Sequence, residues 1–311
     1  MLRALLAASL FLGGCVTAHA DQPSSAGLLT AAQGDLPGFF GCLRDHKIAI
    51  IGAHRGGPLA EHPENALRTF EFTTSLAPVF LEADVQQTAD GVLFMNHDNH
   101  LDRNTTGEGL VSETDWKEIA DLKQRDPTMQ PVDVTPPLLS DVLDWADGKA
   151  LLMLDTKPST VPAKVLKVVD DAKARDRVFY LAYTIDQALG YRAIDPDAIL
   201  AMPIFDDSYF DAAEAAGLLN DKLVAMVRVA NVAPDFVEKV AATGATIMSG
   251  TYGRPQAPDA VYRTLKDAGA YDEMVGLGAQ LLVSNRPRSA AEALLSHADY
   301  ASKLKVCGVG S

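Results

Sequence analysis

Between His54 and Asp98 the chain collects eight residues of types that do chemistry: His54, Arg55, Glu64, Asn65, Glu82, Asp84, His97 and Asp98. They sit in the segments AHRGG, PEN, LEADVQQTADG and MNHD. Three short apolar runs, Ile48–Ala53, Val79–Leu81 and Val92–Met95, lead into them. Carboxylates and imidazoles at the ends of buried strands are costly unless they are paired or hold a metal. Glu82 and Asp84 are two apart, so in a strand both point to one face. There they repel each other unless a cation joins them. A surface acidic pair is the alternative, and the flanking Phe80, Leu81, Ala83 and Val85 argue against it. Asp155, in LLMLDTK, repeats the arrangement with Lys157 two residues on; taken alone, that pair reads equally well as an ion pair at a strand end. Glu82, Asp84 and Asp155 together offer three oxygen ligands, a set that suits Mg2+ or Ca2+. No cysteine or clustered histidine pattern points to structural zinc.

His54 ends the first apolar run and Arg55 follows it. Arg is suited to bidentate recognition of a phosphoryl group, and Gly56 and Gly57 allow close backbone approach to a ligand. A lone histidine is more often structural than catalytic. Of the seven in the chain, His46, His62, His100 and His297 have no supporting context, whereas His97 ends a strand candidate and precedes Asp98. Two imidazoles near a metal and an arginine fit the roles of general acid and general base.

The elements that must position these groups alternate along the chain. Short, near-continuous apolar runs, as expected of strands covered on both faces, occur at Lys47–Ala53, Val79–Val85, Val92–Asn96, Ala150–Thr156, Val178–Tyr183, Ala198–Ile204, Leu223–Val229, Ala245–Ser249 and Gln280–Ser284. Amphipathic helix candidates lie between them at Asn65–Leu76, Ser140–Trp145 (with Ser140 as N-cap), Pro162–Lys173, Ser208–Ala216, Pro234–Thr243, Pro258–Ala268 and Ser289–Tyr300. Repeated alternation predicts an α/β fold, a single-domain (β/α)8 TIM-type barrel over residues 47–304, with a C-terminal tail at 305–311. Nine runs compete for eight places, and the surplus is expected within 198–229. Gln86–Gly91 is too short for a helix, so the link from the second to the third run must be irregular.

The 311 residues carry a net charge of −14 and are 48% hydrophobic. That supports a full core and excludes a nucleic-acid binder, for want of a basic surface. An anionic substrate would need local positive charge. Residues 1–20 read as a signal peptide, with either a lipobox cut before Cys15 or an A-x-A cut after Ala20. The chain is therefore expected to be exported, periplasmic or lipid-anchored to the envelope, with that anchor as its one membrane attachment. Residues 21–46 read as a linker or N-terminal extension. Cys42 and Cys307 flank the barrel, whose closure brings the chain ends together. In an oxidising compartment a Cys42–Cys307 disulfide is expected, with two buried thiols as the alternative.

The ordered set HRGG (His54–Gly57), PEN (Pro63–Asn65), ExD (Glu82–Asp84), TxDG (Thr88–Gly91), HD (His97–Asp98), LDRxTxG (Leu101–Gly107) and an acidic-x-Lys (Asp155–Lys157) resembles the glycerophosphodiester phosphodiesterase family. TPPLLSDVLDW (Thr135–Trp145) also resembles that family's segment before the fourth strand. The resemblance is close over residues 48–158. It implies metal-dependent cleavage of glycerophosphodiesters, small-molecule substrates, to glycerol 3-phosphate and an alcohol. Carried over by position, His54 and His97 are the acid/base pair, and Arg55 holds the phosphate. Glu82, Asp84 and Asp155 hold a divalent cation, Mg2+ or Ca2+, and Lys157 neutralises phosphoryl oxygens. Attack by the substrate's own glycerol hydroxyl, giving a cyclic phosphate that water opens, is the expected course, with direct attack by water as the alternative.

The chain departs from the family pattern at three places. Asp155 stands where Glu is usual. ATIMSGTYG and LLVSNRP replace a Trp-Thr strand and a Thr-Asp-x-Pro strand end, so Tyr252 is the candidate aromatic wall for substrate and Asn285 stands in an acidic position. LAYT (Leu181–Thr184) replaces the usual Ser-Phe. These differences bear on the alcohol moiety. They leave open a sphingomyelinase D-like or phosphoinositide-type phospholipase and, from another class, a non-catalytic phosphodiester-binding envelope lipoprotein.

Overall fold

A computed structural model describes residues 23–310; both processing sites read from the N-terminus lie outside the described residues. All nine apolar runs form strands: β1 (Ile50–Ala53), β2 (Val79–Gln87), β3 (Leu93–Met95), β4 (Leu152–Thr156), β5 (Val178–Leu181), β6 (Leu200–Pro203), β7 (Leu223–Met226), β8 (Thr246–Gly250) and β9 (Leu281–Ser284). Eight are parallel and close on themselves, in the order β1-β9-β8-β7-β6-β5-β4-β2, with β2 returning to β1. Closure removes both sheet edges, and helices cover the outside, so the strands are buried throughout their length apart from the ends of β2, β7 and β8. This is the (β/α)8 barrel that the alternation predicts.

The surplus strand is not where it was expected. β6 and β7 are both barrel staves, paired in register from Leu200↔Leu223 to Pro203↔Met226. The extra run is β3, which folds back antiparallel on the upper end of β2, pairing Val85↔Met95 to Gln87↔Leu93. The TADG segment makes that hairpin: Thr88 and Val92 exchange hydrogen bonds and Gly91 takes a positive φ of 88°. β3 is apolar because Leu93 and Met95 pack into the main core while Phe94 joins Leu101, Val111 and Ile119 in a satellite core; it is not a barrel stave.

The helix expected to be capped by Ser140 runs from Leu139 to Ala146, and its first turn is closed by Asp141, which accepts the Leu138 N–H at 3.2 Å. Helices at Ile185–Ile194 and Gly269–Gly276, not foreseen in the sequence, fill the intervals after β5 and before β9. The segment expected to be a linker is instead two helices, Ser25–Ala32 and Leu36–Asp45, capped by Ser24 and Asp35. They bury Leu28, Phe39, Phe40 and Leu43. Phe40 meets Phe179 edge-on at 5.7 Å between ring centroids, and Phe179 meets Phe80 at 5.7 Å. Phe80 shares a face with Glu82, so this aromatic column fills the barrel below the carboxylates. The C-terminal tail begins as part of a helix, Tyr300–Val306, whose Tyr300 hydroxyl donates to the Ala49 carbonyl at 2.5 Å.

Cys42 and Cys307 form the expected disulfide, tying the two terminal helices together across 265 residues of chain. Among the described residues no helix is long and apolar enough to cross a membrane. Closing so long a loop restricts the unfolded chain. Reduction, or a Cys42→Ser/Cys307→Ser pair, is expected to cost about 2–4 kcal/mol of stability, read as a lower denaturant midpoint with an unchanged barrel circular-dichroism spectrum before the transition.

Candidate active site

Strand register places the carboxylates. Asp84 on β2 is the direct partner of Asp155 on β4, and Glu82 lies one inward position deeper on β2. Their ligand oxygens all fall within 4.8 Å of one another, at the C-terminal mouth of the barrel. They are 2%, 0% and 4% exposed. The Lys157 ammonium sits 2.6 Å from Asp84 Oδ1 and 2.6 Å from Asp155 Oδ2. Tyr183 donates its hydroxyl to Asp155 Oδ2 at 2.7 Å, and Asn65 donates to Asp84 Oδ2 at 2.6 Å while its own Oδ1 accepts the Asp84 N–H.

Three carboxylates facing one ammonium leave excess negative charge. Burial, then the neighbouring Asp84 and Asp155, push the Glu82 carboxyl well above the usual range. Burial also raises Asp155 in spite of Lys157. At Asp84 burial is outweighed by Lys157 and His97, which hold its carboxyl below the usual range. Asp155 Oδ1 is buried with no hydrogen-bond partner. The donor set, all oxygen and underneutralised, with an orphaned oxygen in it, fits a divalent cation.

His54 and Arg55 leave the end of β1 in one 3-10 turn, in which Arg55 has φ 53°. That left-handed conformation is unusual for a non-glycine residue. It is held from both sides: the Arg55 N–H donates to Glu82 Oε2 at 2.5 Å, and its carbonyl accepts the Asn65 N–H at 3.0 Å. Gly56 and Gly57 also have positive φ, and a Cβ on either would come within 2.5 Å of Phe70 or Pro287. They serve close packing of the turn more directly than ligand approach. The Arg55 guanidinium reaches Glu64 Oε2 at 3.1 Å and His97 Nε2 at 2.8 Å, and its Nε, 4.0 Å from Asp84, is buried with no hydrogen-bond acceptor.

The two imidazoles face the same cavity, of about 630 Å3, with Glu82, Asp155 and Tyr183 in its wall. His97 is carried by the loop after β3, not by a barrel strand. Its Nδ1 lies 2.6 Å from Asp98, which Arg103 grips through Nε and Nη2 while also reaching Glu64. Arg103 and Asp98 hold each other's charge, and the Asp98 carboxyl falls well below its ordinary range. His54 Nδ1 lies 2.6 Å from Asn285 Oδ1, and its ring stacks on Tyr252 with centroids 4.5 Å apart. Burial and then the Arg55 charge lower the His54 pKa to about 4.

All eight residues singled out by type and motif (His54, Arg55, Glu82, Asp84, His97, Asp155, Lys157 and Tyr252) thus converge on one mouth. Tyr252 lines the cavity and also stacks on the His54 ring. Reading by residue type overlooked Arg103, Tyr183 and Asp259. Arg103 lies inside LDRxTxG, a usable signal. Tyr183 lies inside LAYT, one of the departures from the family pattern; Asp259 had no signal. Buried Asp259 accepts from Thr251, Ser284, Tyr271 and the Asn285 N–H, and so fixes the residue that holds His54.

A depressed folded-state pKa means that the unfolded chain binds the His54 proton more readily. His54 therefore favours folding above its ordinary range, and that contribution is lost as the pH falls through about 4. Asn285→Asp puts a carboxylate against Nδ1 and is expected to raise the His54 midpoint by about one unit or more. An NMR titration of the imidazole reads this directly.

The sequence model of the glycerophosphoryl diester phosphodiesterase family matches residues 54–271. An uncharacterised Bacillus subtilis protein is 34% identical over 143 residues, which are 44% of this chain and 58% of that one. A glycerophosphodiester phosphodiesterase of Bacillus altitudinis is 28% identical over 183 residues, 54% of this chain and 73% of its own. A crystal structure of a glycerophosphoryl diester phosphodiesterase from Parabacteroides distasonis superposes with a TM-score of 0.70 at 26% identity, covering 88% of this chain and 93% of that one. With the family match spanning most of the chain and the motif residues gathered at one barrel mouth, the chain belongs to the glycerophosphoryl diester phosphodiesterase family.

Proposed function

We propose that the chain is an exported hydrolase that cleaves glycerophosphodiesters to glycerol 3-phosphate and an alcohol. The observation that carries this reading is a buried, underneutralised acidic cluster and two imidazoles at one cavity, with Lys157 bridging Asp84 and Asp155 and Arg55 in contact with His97. A neutral or cationic substrate would gain nothing from Arg55 and Lys157. An anionic phosphodiester gains from both.

Glu82, Asp84 and Asp155 would hold a divalent cation, Mg2+ or Ca2+, which supplies preorganised positive charge against the phosphoryl oxygens. Arg55 offers its unsatisfied Nε and its Nη groups to the phosphate, and Lys157 neutralises charge that develops during transfer. His54 donates Nδ1–H to Asn285 and stays neutral near pH 7, so Nε2 is free to accept a proton. We assign it as the base that deprotonates the glycerol 2-hydroxyl. That oxygen bonds to phosphorus as the bond to the alcohol oxygen breaks. Once the phosphate takes the Arg55 guanidinium that donates to His97 Nε2, that nitrogen can carry a proton, and His97, backed by the Asp98 carboxylate, gives it to the departing alkoxide. The resulting cyclic phosphate is opened by water with the roles reversed. The Cys42–Cys307 disulfide suits an oxidising compartment and supports export.

Release of glycerol 3-phosphate from glycerophosphocholine is expected with Mg2+ or Ca2+ and is expected to stop with chelator; no turnover of any glycerophosphodiester with either ion would end the proposal. A cyclic phosphate should accumulate when the second step is slowed, whereas immediate solvent-oxygen incorporation without it would favour direct attack by water. His54→Ala is expected to lose about 10²–10⁴-fold in kcat with the fold retained. Glu82→Ala is expected to weaken cation binding in a calorimetric titration, and an unchanged titration would place the cation elsewhere.

A further inference from the structure

A second cleft opens beside the first. It has a volume of about 640 Å3 and shares Tyr252 and Arg254 with the wall of the catalytic cavity. Asn285, which holds His54, lies on its edge. Three more arginines line it: Arg263 on the helix Pro258–Leu265, and Arg286 and Arg288 at the start of the helix Pro287–Leu295. Among the described residues none of these four guanidinium groups lies in an ion pair. Arg288 rests instead over the Phe72 ring, at 5.7 Å from its centroid. Two carboxylates also line the cleft. Asp259 is buried and taken up by three hydroxyls and a backbone N–H, and Glu292 is exposed at the edge. In a chain of net charge −14, five of the nine other described arginines pair with carboxylates, as in Arg55–Glu64, Arg103–Asp98, Arg175–Asp170 and Arg177–Asp176, and the four that do not, Arg68, Arg125, Arg192 and Arg228, do not line this cleft. Four unpaired ones around one concavity make a local positive field where the whole-molecule charge would repel anions. All four belong to the loops and helices after β8 and β9, the region in which the sequence departs from the family pattern.

The geometry points to this cleft as a subsite for a second phosphate on the substrate, so that the preferred glycerophosphodiesters are those whose alcohol carries a further phosphate or phosphodiester group. The inference rests on the phosphodiesterase reading above and specifies its substrate class. A substrate with its scissile phosphate at Arg55 reaches the cleft by passing over Tyr252. Guanidinium groups there offer bidentate, charge-assisted hydrogen bonds to the second phosphate. A choline or ethanolamine group would find four positive charges and no gain.

A matched pair of substrates tests this: glycerophosphoglycerol, with one phosphodiester, and bis(glycerophospho)glycerol, with two. The wild-type chain, loaded with Mg2+ or Ca2+, is expected to favour the second by about tenfold or more in kcat/KM, a preference that shrinks as ionic strength rises. Arg263→Gln/Arg286→Gln is expected to abolish the preference while leaving turnover of glycerophosphoglycerol unchanged. Equal kcat/KM for the two substrates in the wild type, or a preference that survives in the double variant, overturns the inference. If neither substrate is turned over, the phosphodiesterase reading fails by itself. The subsite is then judged by calorimetric titration with inorganic pyrophosphate, in which wild-type binding lost in the double variant supports an anion site and equal or absent binding rejects it. Sedimentation with phosphatidylglycerol vesicles that depends on the same arginines, without a substrate preference, would assign the cleft to a lipid surface and also overturn the inference.

Discussion

Three carboxylates share the mouth of a closed barrel with a single ammonium, and much of the surrounding structure answers that imbalance. Buried charge is tolerated only where it is paired or hydrogen-bonded. Lys157 bridges Asp84 and Asp155, Asn65 clamps Asp84 through both its donor and its acceptor, and Tyr183 covers Asp155. Glu82 is satisfied differently, by the backbone N–H of Arg55, and that bond helps to hold Arg55 in a left-handed conformation. The turn that presents His54 and Arg55 is thus fastened to the acidic cluster itself. The remaining negative charge suits the cluster to a divalent cation, the alternative relief being a proton on Glu82 or Asp155, both of whose carboxyls are raised by burial.

Around the cluster, each imidazole is oriented by a different kind of partner. His97 leans on Asp98, a carboxylate held by Arg103, which in turn ties to Glu64 and so to Arg55. His54 leans on the neutral amide of Asn285, whose backbone is anchored by Asp259. The Asn285 amide fixes which nitrogen of His54 carries the proton, and the Arg55 guanidinium does the same for His97 by donating to its Nε2. This difference sets the two rings in distinct surroundings. It also gives the substitution of Asn285 for an acidic residue a consequence beyond packing.

Support for the mouth comes from far along the chain. β1 and β2 supply His54, Arg55, Glu82 and Asp84, β4 supplies Asp155, and the loops after β8 and β9 supply Tyr252 and Asn285. Loops at this end can vary while the carboxylates stay in register, because strand pairing sets Asp84 opposite Asp155 independently of them. That separation allows a catalytic centre with family motifs to coexist with a cleft of unusual composition next to it.

The amino-acid sequence by itself determined the class of fold, because eight staves buried on both faces must be written as short apolar runs, and all nine runs that it contains are strands. It also determined the composition of the site, since carboxylates two apart on a buried strand and a histidine beside an aspartate are costly anywhere but at a functional mouth. Tertiary structure decided the rest. That β3 is a hairpin arm and not a stave depends on its antiparallel return along β2, which local apolarity cannot distinguish from a parallel stave. The segment before β1 reads as linker from its small and turn-forming residues, and although Phe39 and Phe40 alone suggest docking on the barrel, its two helices emerge only when those rings and Leu43 are buried there. The role of Asp259 was invisible because it shows only when Thr251, Tyr271, Ser284 and the Asn285 N–H meet around one carboxylate, and that of Tyr183 because it depends on β5 lying beside β4. Periodicity reports which face a residue takes, but only the closed barrel decides which faces meet.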